Sequence, residues 1–289
     1  VQDEQTPPRY RLIEESLGRV ARLRLEPDER QALHRTLAEV LSTRRRRAVG
    51  VEVAHHRELA GQPGEAYLAY VSACLRARRS GQIHDVLRWT RHAQDLEDQA
   101  LNALEPSQAH PAVRSLAKLR GHALLRTGQT EEACDQLERS LDPHWGQTPE
   151  EETARTRALL GEGLARTGQA TAAIDQLKEA LQVLPEGAPE RPSAVGRPTQ
   201  LRLLKGDLHA AIETIEPAVE RARQRNLGGR AEASLNRRLA SARAVEGRLV
   251  DARLLLEASD LALRRSPDEH LEERAILLCD LGDLDLVAG

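Results

Sequence analysis

The chain has 289 residues, of which 40% are hydrophobic and 30% charged, and its formal net charge is −3. This charge balance argues against a dedicated nucleic-acid binder, for which a clearly basic chain is expected. No apolar run reaches the roughly 18 residues that a membrane helix needs, and no basic-then-apolar leader stands at the start. A composition rich in Ala, Leu, Glu and Arg and only 2% aromatic predicts an almost entirely helical protein.

Helical periodicity and turn residues predict helices along the whole chain. In chain order they cover about residues 10–23, 27–42, 49–60, 64–79, 82–104, 111–126, 130–141, 150–166, 170–184, 208–225, 228–245, 249–264 and 268–281. The helix 82–104 is additional, because the 67 residues from Gly61 to Gly128 must hold three helices. Six Pro and Gly residues interrupt 185–200, so the first helix of the unit around Gly206 is expected to be truncated or irregular.

Two segments, 121–141 and 161–181, match each other at a constant offset of 40 residues, and both contain Arg-Thr-Gly-Gln. Glycine recurs near that spacing at Gly61, Gly128, Gly168, Gly206, Gly247 and Gly282. Alanine stands five residues after each of the first five, at Ala66, Ala133, Ala173, Ala211 and Ala252. This pattern predicts pairs of antiparallel helices that are joined by a tight glycine turn and cross closely at small residues.

The spacing of small residue, Gly, Ala, large residue and small residue resembles the tetratricopeptide repeat over roughly residues 50–289. The resemblance implies an all-α fold, a right-handed superhelix (α-solenoid) of antiparallel helix pairs with a repeat of about 40 residues. These units exceed the usual length of about 34 residues. They look like the long repeats that follow the ATPase module of bacterial signal-transduction ATPases, kinases and transcription activators.

Residues 27–41 and 53–66 are similar to the segment that joins that ATPase module to its repeats. No phosphate-binding Gly-x-x-x-x-Gly-Lys-Ser/Thr motif occurs, so the ATPase itself is not encoded here. We expect an N-terminal helical linker region at 1–48 and a repeat array at 49–289, truncated after a turn at Gly282. The chain contains no Met and no Phe, and the missing Met indicates a fragment of a longer protein.

Candidate chemistry is sparse. The three cysteines are scattered, at Cys74, Cys134 and Cys279, which favours neither a disulfide framework nor a zinc site and indicates a reducing, cytoplasmic compartment. The adjacent His55 and His56 point about 100° apart on a helix, so they cannot share a metal ion. The basic run 44–47 is typical of a solvated loop. No catalytic arrangement has local support, and we expect no enzyme, no cofactor and no metal.

The first helix of each unit lines the concave face in tetratricopeptide proteins, and the resemblance assigns partner binding to charged residues there. They are His55, Glu58, Lys118, His122, Arg126, Arg155, Glu162, Arg166 and Arg237. Three of them, Lys118, His122 and Arg126, follow one another at four-residue intervals, and Arg166 repeats Arg126 one unit later. Such a basic stripe suits a carboxylate-rich peptide or another anion, and a solvated face in which Glu162 balances Arg166 is the alternative.

These observations predict a non-catalytic module for protein–protein interaction or regulatory sensing, part of a larger bacterial signalling or transcription-regulating ATPase or kinase. The alternative is a stand-alone scaffold that joins two proteins. A helical hydrolase or transferase is a third hypothesis. The expected partner is a protein or peptide, an acidic one in particular. A small effector is an alternative ligand. Direct binding to nucleic acid or membrane is not expected, and the oligomeric state stays open.

Overall fold

The computed structural model describes residues 25–43, 49–185, 188, 190–225, 229–264 and 271–288. Within these residues every regular element is a helix, which confirms the all-α prediction. The helices are α1 (Pro27–Ser42), α2 (Val49–Leu59), α3 (Pro63–Arg79), α4 (Ile83–Asp95), α5 (Glu97–Ala103), α6 (Pro106–Thr127), α7 (Thr130–Leu141), α8 (Glu150–Arg166), α9 (Ala170–Val183), α10 (Arg191–Leu204), α11 (Leu208–Gln224), α12 (Gly229–Val245), α13 (Leu249–Leu263) and α14 (Leu271–Ala288). A 3-10 turn, Pro143–Trp145, connects α7 to α8.

Most predicted helices are present with nearly the predicted ends, and four predictions need comment. The predicted helix 82–104 is in fact two helices, α4 and α5, because the chain turns at Leu96. Helix α6 begins earlier than predicted and contains Pro111. Residues 191–200 are more regular than predicted, because Pro192 lies in the first turn of α10, where its missing N–H costs little, and Pro198 is accommodated within the helix. The predicted helix 10–23 lies outside the described residues.

The chain divides into two compact units, unit 1 at Val1–Ala112 and unit 2 at Val113–Gly289, and the division falls within α6. This division differs from the boundary expected between 48 and 49, since α1 packs on α2 inside unit 1. Unit 1 also packs α2, α4 and α5 against α3. Unit 2 contains the pairs α8–α9, α10–α11 and α12–α13, with α14 packed against α12 and α13.

Six glycines end helices in the left-handed conformation, with φ between 70° and 84°: Gly61, Gly81, Gly128, Gly168, Gly206 and Gly247. At each one the glycine N–H and the next N–H donate back to the last turn of the helix, as when Gln62 N donates to Arg57 O at 3.0 Å. Gly81 was not among the predicted turns. The predicted turn at Gly282 is wrong, because Gly282 lies inside the continuous helix α14.

The helix pairs cross at small residues, as the repeat predicted. Ala133, Ala173, Ala211 and Ala252 are fully buried. A Cβ atom on Gly161 would lie 2.5 Å from Leu177 Cγ and 3.1 Å from the carbonyl oxygen of Ala173. Such contacts leave no room for a side chain, so the backbones of α8 and α9 can approach only because glycine stands at the crossing.

Candidate functional site

Unit 1 contains an open groove in which α2 and α4 form the walls and α3 the floor; we call it the α2–α4 groove. It consists of two cavities of about 630 Å³ and 380 Å³ that share Val51 and Trp89 in their linings. Helices α2 and α4 both pack on α3, which holds them apart on either side of it. The groove is therefore shaped by helix packing rather than by a loop.

The smaller cavity of the groove is aromatic. Tyr70 donates a hydrogen bond to Glu58 at 3.0 Å, and its ring stacks on His92 with centroids 6.1 Å apart. Burial and the neighbouring Glu58 carboxylate together raise the pKa of Tyr70, which therefore stays a neutral phenol. Trp89 lies beneath the guanidinium of Arg88, 5.8 Å from its ring centroid. The cavity thus presents flat rings in a chain that has few of them.

The larger cavity is basic. Among the described residues, Arg76 and Arg79 form no ion pair and no hydrogen bond through their side chains, whereas Arg88 is bonded to Asp85 at 2.7 Å. The guanidinium of Arg76 lies against Gly50, where a Cβ atom would fall 1.6 Å from Arg76 Nη2. Glycine at this position is what lets the arginine lie across the N-terminal turn of α2.

Two of the predicted partner-binding residues, His55 and Glu58, line the aromatic cavity of this groove. His55 is exposed, and its Nδ1 lies 4.0 Å from Glu58 Oε2. The sequence reasoning missed the groove residues Arg76, Arg79 and Trp89. Their signal was present, because a rare tryptophan and an arginine-rich helix end bracket the unrecognised turn glycine Gly81.

The other predicted residues lie on the first helices of unit 2, where most of them have acidic partners. Lys118 Nζ lies 3.5 Å from Glu152, and Arg155 donates to Glu151 at 2.6 Å. Arg166 donates to Glu162 and also to the carbonyl oxygen of Leu125 at 2.8 Å, at the C-terminal end of α6.

Arg237 holds Asp280 of α14 through two nitrogens at 2.6 Å. His122 is partly buried. Arg126 is exposed and has no ion pair among the described residues. Of the predicted basic stripe, Lys118 and Arg166 therefore have acidic partners, whereas Arg126 has none among the described residues.

A second group of arginines in unit 2 was not predicted. Gln200 Oε1 accepts hydrogen bonds from Arg238 Nη1 at 2.8 Å and from Arg197 Nη1 at 3.3 Å. Burial lowers the pKa of Arg238, and the charges of Arg197 and Arg237 lower it further, against the opposing effect of Asp280. Arg197 and Arg238 each stand nine residues before a turn glycine, so the repeat register could have identified them.

The described residues contain no group of three or more His, Cys, Asp or Glu side chains that could hold a metal ion. None of the described helices combines the length and apolar character needed to span a bilayer. Burial raises the pKa of Cys74 to about 12 and also raises that of Cys134, so neither thiol is activated as a thiolate. Cys279 is exposed on α14.

The paired helices, their left-handed glycine turns and the small crossing residues define an all-α helical-repeat fold that is like that of tetratricopeptide proteins. No family model matches the chain, and no curated protein matches it significantly. Solved structures with this fold do match it.

A Podosopora anserina putative kinesin light chain with TPR-like repeats is 17% identical, with a TM-score of 0.54 over 71% of this chain and 98% of that one. BtubC (BKLC) from P. vanneervenii is 16% identical, with a TM-score of 0.54 over 84% of this chain and 93% of that one. A Rap protein complexed with Competence and Sporulation Factor is 14% identical, with a TM-score of 0.55 over 90% of this chain and 72% of that one. These likenesses establish the fold.

Proposed function

We propose that this protein is a non-catalytic module that binds a segment of a partner protein in the α2–α4 groove. The observation that carries the proposal is the groove itself, an open channel between α2 and α4 that combines the half-buried ring of Trp89 with two arginines whose side chains have no partner among the described residues. A groove held open by packed helices can receive a peptide without first ordering a loop, which lowers the entropic cost of binding.

The groove indicates the chemistry of its partner segment. The half-buried Trp89 offers a large apolar surface of the kind that dominates binding energy at interfaces. Arg76 and Arg79, on the same channel, offer donors that suit a carboxylate. A segment that places an apolar side chain beside Asp or Glu would satisfy both cavities.

In the cell, this module would belong to a larger bacterial signalling or transcription-regulating ATPase or kinase and act in the cytoplasm. The long repeats and the linker-like N-terminal stretch support that context. The Rap protein with a similar fold was solved in complex with Competence and Sporulation Factor, which favours a sensing role for this chain. A stand-alone scaffold that joins two proteins is the second candidate, and a parent reading frame that also encodes a phosphate-binding loop would decide for the regulator.

Intrinsic fluorescence provides the test, because the chain has only two tryptophans, Trp89 and Trp145. A Trp145→Phe variant makes Trp89 the sole indole and a direct reporter of groove occupancy. Short random peptides displayed on phage are selected against the full chain, and the selected peptides are synthesised and titrated. We expect them to contain an acidic residue next to an apolar one and to change the Trp89 emission saturably.

Two variants locate the binding. Arg76→Ala should weaken the selected peptides by about tenfold, the loss expected for one charge-assisted contact. Arg78→Ala is the matched control, since Arg78 is exposed on the same helix but does not line the groove. If no peptide is selected, or if the selected peptides bind both variants as they bind the parent, the groove is not the docking surface.

A further inference from the structure

Helix α1 carries a row of apolar side chains that its neighbours leave partly exposed; we call it the α1 stripe. It consists of Leu33, Leu37 and Val40, which follow one another at intervals of four and three residues and therefore share one face of the helix. Their exposed fractions are 47%, 36% and 46%. Large apolar residues that are exposed singly are ordinary, whereas a contiguous row of them indicates a surface that another element covers.

The α1 stripe is separate from the contact between α1 and α2. A Cβ atom on Gly61 would lie 3.7 Å from Gln31 Cδ, and His34 contacts His56. Ala38, on the same side of α1 as Gln31 and His34, is buried. At 3.6 residues per turn, this side lies roughly 120° around the helix from the stripe. Helix α1 can therefore pack on α2 and still present the stripe to another helix.

Residues 10–23, which the sequence predicts to be a helix and which lie outside the described ranges, contain a matching apolar pattern. Their apolar residues follow one another at intervals of three, four and three: Tyr10, Ile13, Leu17 and Val20. Read in the reverse direction, three of them have the spacing of the α1 stripe. The opposed pairs are Leu17–Leu33, Ile13–Leu37 and Tyr10–Val40. All three pairs are centred on position 25 of the chain, as the contacts of two antiparallel helices joined near that position must be.

The chain changes direction between these two segments. Pro27 is the first residue of α1, and Glu26 before it has an extended backbone, with φ of −64° and ψ of 154°. A proline disfavours the helical conformation in the residue before it, so residues 10–23 cannot continue α1 as one straight helix. The N–H of Glu26 also donates to Glu29 Oε2 at 3.0 Å, which closes the start of α1. The residues between 23 and 27 suffice for the short loop of an antiparallel helix pair.

We propose that the α1 stripe is the docking surface for residues 10–23 of the same chain, which pack on it as an amphipathic helix antiparallel to α1. Three side chains that are each more than half covered offer far less than the roughly 800 Å² per partner that a stable interface buries. A second copy is therefore a poor occupant. A segment of the same chain needs less area, because its short connection holds it near the stripe at an effective concentration on the order of millimolar. This contact goes beyond the proposed function, because it uses no residue of the α2–α4 groove.

Disulfide cross-linking of the full chain tests the register. Cys279→Ser removes the exposed native thiol, and the other two cysteines are buried. In that background, Ile13→Cys with Leu37→Cys places two thiols in an opposed pair. Ile13→Cys with Glu39→Cys is the matched control, because Glu39 is exposed on another side of α1 at nearly the same sequence separation. We expect mild oxidation to close the opposed pair at least about tenfold faster than the control pair.

A charge on the stripe provides a second measurement. Leu17→Cys with Leu33→Cys forms another opposed pair, and adding Leu37→Glu should slow its closure by about tenfold, because the new carboxylate would face the apolar Ile13. Ala32→Glu adds the same charge at an exposed position away from the stripe and should leave the closure rate unchanged. Circular dichroism checks that both variants keep the helix content of the parent.

The proposal is overturned if the opposed pair closes no faster than the control pair, or if oxidation yields cross-linked dimers instead of cross-linked monomers. Dimers would show that a second copy covers the stripe. Equal closure rates with Leu37→Glu and Ala32→Glu would exclude an apolar contact. These outcomes are independent of the groove, whose test measures peptide binding through Trp89 emission, so either conclusion can fail while the other holds.

Discussion

The two units carry very different helix surfaces. In unit 1, α2 and α4 stand apart on α3 and leave a groove that contains ring faces and two arginines with no described partner. In unit 2, the first helices α8, α10, α12 and α14 are tied to one another by side chains, as in the pairs Glu162–Arg197 and Arg237–Asp280. One helical-repeat pattern therefore supports both an open groove and a cross-linked face.

In unit 2, some predicted partner-binding cations are held by acidic residues of neighbouring helices, as Lys118 is by Glu152 and Arg237 by Asp280. Each exposed ion pair contributes only about 0–1 kcal/mol to stability. Such pairs nevertheless occupy the donors that a partner would need. The α2–α4 groove differs in this respect, because Arg76 and Arg79 have no side-chain partner among the described residues.

The largest expected effect concerns the tight crossing of helices in unit 2. Ala173→Leu should lower the free energy of unfolding by about 1–3 kcal/mol, because Ala173 is fully buried where α9 crosses α8. In unit 1, Val51→Leu adds bulk to the open groove and should change stability by less than about 0.5 kcal/mol. Urea unfolding measures both variants. Equal effects at the two positions would refute the contrast between the units.

The second prediction compares buried polar residues. In unit 1, Thr90 is buried and its hydroxyl donates to the carbonyl oxygen of Leu87 at 3.1 Å. In unit 2, Asn236 is fully buried, and neither polar atom of its side chain has a partner among the described residues. Asn236→Leu should therefore raise the free energy of unfolding by about 1–2 kcal/mol. Differential scanning calorimetry gives the measurement.

An exposed asparagine is the control for that substitution. Asn102→Leu, on α5, should leave stability within about 0.5 kcal/mol of the parent. A loss of stability in Asn236→Leu would mean that the amide is satisfied, by water or by a shift of neighbouring groups.

The third prediction contrasts two glycines at which an added Cβ atom would meet no neighbouring atom. Gly81, in unit 1, has φ of 71°, whereas Gly282, in unit 2, is helical, and neither would meet an atom within 4 Å. Gly282→Ala should stabilise the protein by about 0.5–1 kcal/mol, because alanine costs less backbone entropy in a helix. Gly81→Ala should destabilise it. If thermal melts show that Gly282→Ala destabilises the protein, the result would support the turn that the sequence predicted at Gly282.

The smallest effect concerns pH and unit 1 alone. His56 of α2 lies 2.9 Å from His34 of α1 between their Nδ1 atoms, so one ring must be neutral to accept the hydrogen bond. Burial lowers the pKa of His56, the nearby His34 and His55 lower it further, and Glu52 opposes them. The folded protein therefore favours the neutral ring, and this contribution to stability is present above pH 6.5 and is lost as the pH falls.

We expect the melting temperature to fall between pH 7 and pH 5, by less in a His56→Gln variant than in the parent. His209→Gln, an exposed histidine of unit 2, is the control and should keep the parent's pH dependence. If His56→Gln and the parent lose the same stability, the contact between α1 and α2 is not the source.

The helices, most of the turns and the small residues at the crossings could be predicted from the amino-acid sequence. These features are local, because a helix that ends at a left-handed glycine closes its own last carbonyls within six consecutive residues. The spacing of glycine and alanine then predicted which small residues meet within a pair, such as Gly161 and Ala173, whereas the packing of Leu177 on Gly161 was not predicted. The prediction was wrong at Gly282. Its residue type and spacing are those of a turn glycine, but it lies inside a continuous helix.

Which charged side chains have partners could not be predicted from the sequence, because it depends on how the helices pack. The partners of Arg237 and Arg166, namely Asp280 and the carbonyl oxygen of Leu125, stand 43 and 41 residues away and belong to neighbouring first helices. The groove likewise depends on the distance at which α3 holds α2 and α4. Helix spacing and side-chain reach between successive units set these contacts, and a residue pattern along a single helix contains neither quantity.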